Sequence, residues 1–227
     1  MLGYVIWHPQ GRKHPTLECR TIDGISFLVL ETSPIRPFWG KRRLRRVGET
    51  LSRSGVRCAA VEGEVPPELL ARFGLEEIDC SPLRLACLEQ LLAFAAARQE
   101  VILRDSCVAL RAERIDAQVV RAARILAGCA RRVTLDVRAG QEELERLLRW
   151  EYGLAPGGSP ELQLCVSCSP QLDLPALHIG RGCRHRQKII WDYPELPQAE
   201  ESLLAAIFQA KREIMQDIRV KSVEFSA

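Results

Sequence analysis

The chain has 227 residues, 47% of them apolar and 27% charged, which is enough for one large α/β domain or two small ones with a real core. Its net charge of +3 gives no whole-molecule attraction for anions, so any such attraction must come from local clustering. No apolar run approaches the ~18 residues of a membrane span, and "MLGYVIWHPQGRKHP" lacks the basic segment and apolar core of a signal peptide; the expectation is a cytoplasmic protein with no membrane partner.

Residues 1–31 read as an antiparallel start: "YVIWHP", a turn through "PQGRKHP", then the continuous apolar run "GISFLVLE" (24–31). Such a run suits a strand covered on both faces. "KRRLRRVGETLSRSG" follows as a helix that starts near Gly40 or Lys41. It sets Leu44, Val47 and Leu51 on one face and stops at Gly55. "VRCAAVEG" is a second buried strand, and "PPELLARFG" is a short helix with Pro at its start and Gly at its end. "SPLRLACLEQLLAFAAA" is one long helix, apolar nearly all round.

In the second half, "EVILRDS" (100–106) reads as a strand. "DAQVVRAARILAG" is a helix capped by Asp116, and "RRVTLDV" is a strand. "QEELERLLRWEYG" is a helix with acids in its first turn and Gly153 closing it; "ELQLCVSCS" (161–169) is a strand. The tail carries "ALHI", "KIIW", a helix through "ESLLAAIFQAKREIM" and a final strand "VKSVEF". Strands alternating with helices of this length mean βαβ units. The expected fold is therefore α/β: a mostly parallel, doubly wound, Rossmann-like sheet with antiparallel additions at both ends. Residues 1–98 form an N-terminal α/β half. Residues 99–227 form a βαβαβ half with a strand–helix–strand extension, and the two halves could share one continuous domain.

Two basic segments lie just beyond apolar strands. "RPFWGKRRLRR" (36–46) runs into the first helix. In open parallel sheets ligands bind outside the carboxyl ends of the strands, where the first-turn N–H groups of the next helix favour anions. Arg36, Lys41 and Arg43 are the candidate anion holders there. Gly40 leaves room at the backbone, and Trp39 can stack on a ring. The plainer reading is a solvated basic helix face. "GRGCRHRQKIIW" (180–191) offers Arg181 and Arg184 in a glycine-rich turn. It is no dinucleotide fingerprint, because His185 stands where the third glycine belongs and β-prone sequence follows in place of a helix.

Asp136, in "VTLDV", falls where an acid would meet a ribose, yet the preceding "RDSCVALRAERID" has no glycine to admit a pyrophosphate. Asp105 and Asp136 are read as ending neighbouring strands. Cys165, Cys168, Cys183 and His185 form a set of zinc-ligand type. Strand-like alternation around "CVSC" sends Cys165 and Cys168 to opposite faces, so the expectation is no bound metal. The nine cysteines read as reduced, mostly buried core fillers. No HExxH, GxSxG or P-loop motif names a reaction, and no cofactor is indicated.

The function expected from these residues is binding of an anionic, phosphate-bearing small molecule at the carboxyl edge of the sheet. Nucleic-acid binding through 36–46 and 180–188 is one alternative. An enzyme with a non-classical nucleotide cofactor loop is another.

Overall fold

The computed structural model of the chain describes residues 2–10, 15–33, 38–65, 67–154, 157–166, 176–180, 187–211 and 217–225. The elements run β1 (Leu2–Trp7), β2 (Thr16–Ile22), β3 (Ile25–Thr32), α1 (Phe38–Arg53), β4 (Cys58–Glu62), α2 (Pro67–Arg72) and β5 (Glu76–Glu77). They continue α3 (Ser81–Ala86), α4 (Leu88–Arg98), β6 (Cys107–Arg114), α5 (Ala117–Cys129), β7 (Arg132–Ala139), α6 (Gln141–Tyr152) and β8 (Leu162–Cys165). The last are β9 (Ala176–His178), β10 (Gln187–Asp192), α7 (Glu201–Ala210) and β11 (Arg219–Phe225). Two compact units result: Met1–Asp79 with Tyr193–Asp217, and Cys80–Asp192 with Ile218–Ala227. The division read from the sequence lay near residue 98; the units part at Asp79 and Cys80, and α3 and α4 fall in the second.

The first unit holds a five-stranded sheet of order β2-β3-β1-β4-β5. β1 pairs parallel with β3 and β4, and β4 pairs parallel with β5. The antiparallel member is β2, which forms a hairpin with β3. This corrects the reading of residues 1–31, in which the first strand ran antiparallel to the run at 24. The turn of the hairpin is Asp23-Gly24, both with positive φ (47° and 70°), the Asp-Gly pair that two-residue turns favour. Tyr193 Oη donates to Asp23 at 3.0 Å and Lys211 Nζ stands 2.9 Å from it, holding this aspartate in its left-handed conformation.

Val5, Leu28, Leu30 and Val61 share one face of the sheet and pack with Leu51 of α1 and with Leu70 and Phe73. Val47 packs against the same cluster, as its helical spacing to Leu51 requires. The helix starts at Phe38, ahead of the expected Gly40 or Lys41, and the chain leaves it at Gly55 with φ 78°. Gly48 sits directly against Phe73: a Cβ there would stand 2.0 Å from the ring. At the other edge β5 is only two residues long and reaches no further than Ala59 of β4. Beyond it, Ser202 of α7 takes the place of a strand neighbour. Its hydroxyl accepts from Val61 N at 2.8 Å and donates to Val61 O at 2.5 Å.

The second unit holds a wholly parallel sheet of order β7-β6-β8-β9 and an antiparallel pair β10-β11. Its first strand is Cys107–Arg114, not 100–106. A 3-10 turn at Leu103–Asp105 precedes it, Glu100 has φ 56°, and Ile102 is exposed. The helix read as continuous over 81–97 is broken at Cys87 into α3 and α4. Asp116 caps α5 as expected, accepting from Val119 N at 2.9 Å, and Gly153 ends α6 with φ 65°. One face of the sheet is uniformly apolar (Val108, Leu110, Val133, Leu135, Leu162 and Leu164, all buried). Arg84, itself fully buried, donates to the carbonyl of His178 at 3.1 Å.

Both sheets share one strand pattern. The chain builds β1 and then β3 beside it, and crosses back over β1 to lay down β4 and β5. It likewise builds β6 and then β7, and crosses back to lay down β8 and β9. The fold is thus α/β and doubly wound, with a topological switch at the carboxyl ends of β1 and β4 and another at those of β6 and β8. Among the described residues, no helix is long and apolar enough to cross a membrane.

Candidate functional site

At the first switch, His8 N donates to Thr32 O at 2.9 Å and extends the β1–β3 ladder by one rung. Gly63 follows β4 with φ 79°, and a Cβ on it would stand 2.8 Å from the carbonyl oxygen of Trp7. Only glycine lets the two strand ends come this close. Thr32 pairs in register with Trp7. By strand alternation it lies on the face of Leu28 and Leu30, the side that α1 covers. Thr32 is fully buried, and among the described residues its hydroxyl has no hydrogen-bond partner.

The acids of this edge lie on the opposite face. Glu31 and Glu62 both pair with Ile6 and alternate with Leu30 and Val61. Tyr4 donates to the Glu62 carboxylate. Burial first, and that carboxylate second, push the Tyr4 phenol far above its ordinary value. Arg20 is 2.7 Å from Glu31, and His8 Nε2 is 3.9 Å from the same carboxylate. The sheet therefore separates its charges: carboxylates on one side, and the basic helix on the other.

α1 has no acid in its first turn, and its backbone carries Trp39, Gly40, Lys41 and Arg43 in its opening two turns. Arg42, Arg45 and Arg46 are exposed, and Arg45 is held by Glu49 at 2.8 Å. Arg36 lies outside the described residues, as do Arg181 and Arg184.

The second unit closes its own first βα turn. Ile115 N donates to Ala139 O at 2.9 Å, and a Cβ on Gly140 would stand 2.4 Å from Ile115 Cγ2. Ile115 fills the place that glycines leave open in a dinucleotide-binding turn, and Asp116 occupies an amide of the helix end. Asp136 lies within β7 and not at its end, and Arg111 Nε stands 3.2 Å from its Oδ2. Asp105 sits in the turn before β6 and ends no strand. Sequence reasoning missed Arg111, because a strand placed at 100–106 left it in a loop.

Of the zinc-type set, Cys165 is the buried last residue of β8; Cys168, Cys183 and His185 lie outside the described residues. Among the described residues, no three His, Cys, Asp or Glu side chains are grouped to hold a metal ion. The cysteines are less uniformly buried than expected. Cys87, Cys107 and Cys165 are buried, Cys80 and Cys129 half-buried, and Cys19 and Cys58 exposed. Cys19 is exposed because β2 is an edge strand. Burial pushes the Cys87 and Cys129 thiols up to about 11.

No family model matches the chain, and no curated protein matches it. Among solved structures it is similar to the L-tryptophan dehydrogenase from Nostoc punctiforme, at 11% identity and a TM-score of 0.32 over 73% of this chain. The match spans 56% of that chain, little more than half its length. A likeness of this size carries no argument about chemistry, and the fold class rests on the strand order itself.

Proposed function

We propose that the protein binds an anionic, phosphate-bearing small molecule at the carboxyl edge of the first unit's sheet, against the N-terminus of α1. The observation that carries this reading is Thr32, whose fully buried hydroxyl lacks a partner among the described residues, on the face that α1 covers. A hydroxyl beneath a helix N-terminus can donate to the same oxyanion as the first-turn amides. The acid-free opening of α1 and the seclusion of Glu31 and Glu62 on the other face both favour it. Lys41 and Arg43 supply charge. Arg46 lies a turn further along and does not join them.

The test is titration of the full chain with inorganic phosphate, sulfate and AMP, followed by amide NMR. Lys41→Ala with Arg43→Ala should weaken binding at least tenfold, since charge-assisted contacts each contribute ~1.5–3 kcal/mol when shielded. Arg46→Ala should bind like the parent. A double variant that binds like the parent contradicts the reading.

A further inference from the structure

The second unit's sheet has two unlike faces. One is the apolar face described above. The other carries, in register across the four strands, Asp136, Arg111, Cys165 and His178. One step earlier on the same face lies Gln163, with Ala109 and Ala176 as its in-register neighbours. A parallel sheet buried on both faces ordinarily reads as apolar throughout. Here the polar row crosses the middle of β7 and β6 and the carboxyl ends of β8 and β9, and it straddles the β6–β8 switch, where Arg111 and Cys165 are paired.

Gln163 is the residue that packing does not explain. It is 4% exposed, and among the described residues its amide oxygen has no hydrogen-bond partner. Its row neighbours are alanines, themselves buried, whose side chains offer no donor. An acceptor this well buried is costly to leave unpaired. Arg111 stands at the rim of the same face, about three-quarters buried, and pairs with an Asp136 carboxylate that is itself 62% exposed. So open a pair is weak and exchangeable, and a guanidinium fork has further donors for a second carboxylate. The Cα atoms of Arg111 and Gln163 are roughly 8 Å apart by sheet spacing, a gap that a molecule of a few heavy atoms spans. The floor beyond is rigid: Gln187 brackets the backbone of His178, accepting from its N at 2.9 Å and donating to its O at 2.7 Å.

We infer that this polar face is a second binding site, for a small carboxylic acid that carries a hydroxyl or amine beside its carboxylate. Arg111 takes the carboxylate, and the Gln163 amide oxygen accepts from the adjacent donor. The unpaired acceptor distinguishes this ligand from a plain carboxylate such as acetate, which has no proton to donate. The site uses none of the residues of the one proposed on α1.

The test uses the full chain and four probes: glycolate, glycine, acetate and inorganic phosphate. Binding is read from amide shifts of β6 and β8, and folding from the melting curve of each variant. Glycolate or glycine should saturate those shifts, with acetate at least tenfold weaker. Arg111→Met should abolish the response, and Arg111→Lys should weaken it, since a point charge cannot form the fork. Gln163→Leu should bind acetate as well as it binds glycolate, and should melt higher than the parent. The inference is overturned if neither glycolate nor glycine saturates, if acetate matches them in the parent, or if a folded Arg111→Met still responds. A response confined to α1 and β3 overturns it too, while supporting the site on α1.

Discussion

Replacing Thr32 by valine separates a structural role from a binding role, because the two demand opposite signs. Valine keeps the shape of threonine and exchanges the hydroxyl for a methyl. Thr32 is fully buried and its hydroxyl is unpartnered among the described residues, so the parent bears the desolvation of that group, about 1–3 kcal/mol, with no hydrogen bond from them in return. Removing it should stabilise the fold by about 1–2 kcal/mol, the lower part of that range, since the site can relax around a hydroxyl. For a chain of this size that is a rise in Tm of roughly 3–6 °C. Phosphate affinity should fall about tenfold or more, the worth of one hydrogen bond to a charged ligand. Thr32→Ser keeps the hydroxyl: it should bind phosphate like the parent while losing about 1 kcal/mol for its buried methyl. Circular dichroism with heating, and phosphate titration of the same samples, check both arms. A Thr32→Val variant that melts lower than the parent, or binds phosphate equally well, refutes the reasoning.

Four further predictions follow from the packing, the titrations and the exposure of the cysteines. Ser202→Ala removes both bonds to Val61 and leaves a strand amide and carbonyl unpaired in the interior, so it should cost about 2–4 kcal/mol in denaturant unfolding. Gly48→Ala would gain about 1 kcal/mol on an open helix, but here it drives a methyl into the Phe73 ring. A net loss of about 1–2 kcal/mol is expected, largely recovered by adding Phe73→Leu. The Cys87 thiol lies above its ordinary value when folded, so the folded state binds more protons between pH 9 and about 11. Stability should be full below pH 9 and decline as pH rises through 11, and Cys87→Ala should flatten that decline. The exposed Cys19 and Cys58 should alkylate with iodoacetamide at pH 8 well before Cys87 does.

Much of the architecture was legible because it is written in periodicity and caps. The run at 24–31, the Asp116 cap and the Gly153 stop all stand where their residues require. The hairpin of β2 and β3 was missed, although "TIDGIS" carries the Asp-Gly signal for it. The polar alternation of an edge strand exposed on both sides looked like loop. The strand at 107–114 was displaced because "EVIL" is more β-prone than "CVALRAE", yet Glu100 turns the chain with positive φ and ends that extension. β5 was invisible: Glu76 and Glu77 have no strand propensity, and the pairing comes from what they lie beside.

The candidate site was legible only in part. The placement of a basic helix start after a buried strand could be read from "RPFWGKRRLRR". The buried hydroxyl of Thr32 could not, since no local pattern marks an unpaired group. Likewise Arg111, Cys165 and His178 come from three strands, and only the register brings them into one row.

The most direct test of the central claim is amide NMR of the full chain titrated with inorganic phosphate. The account predicts saturable shifts centred on the first-turn amides of α1 and on Thr32, lost in the Lys41→Ala, Arg43→Ala double variant. Shifts spread over the exposed arginines without saturation, or none at the start of α1, would contradict it.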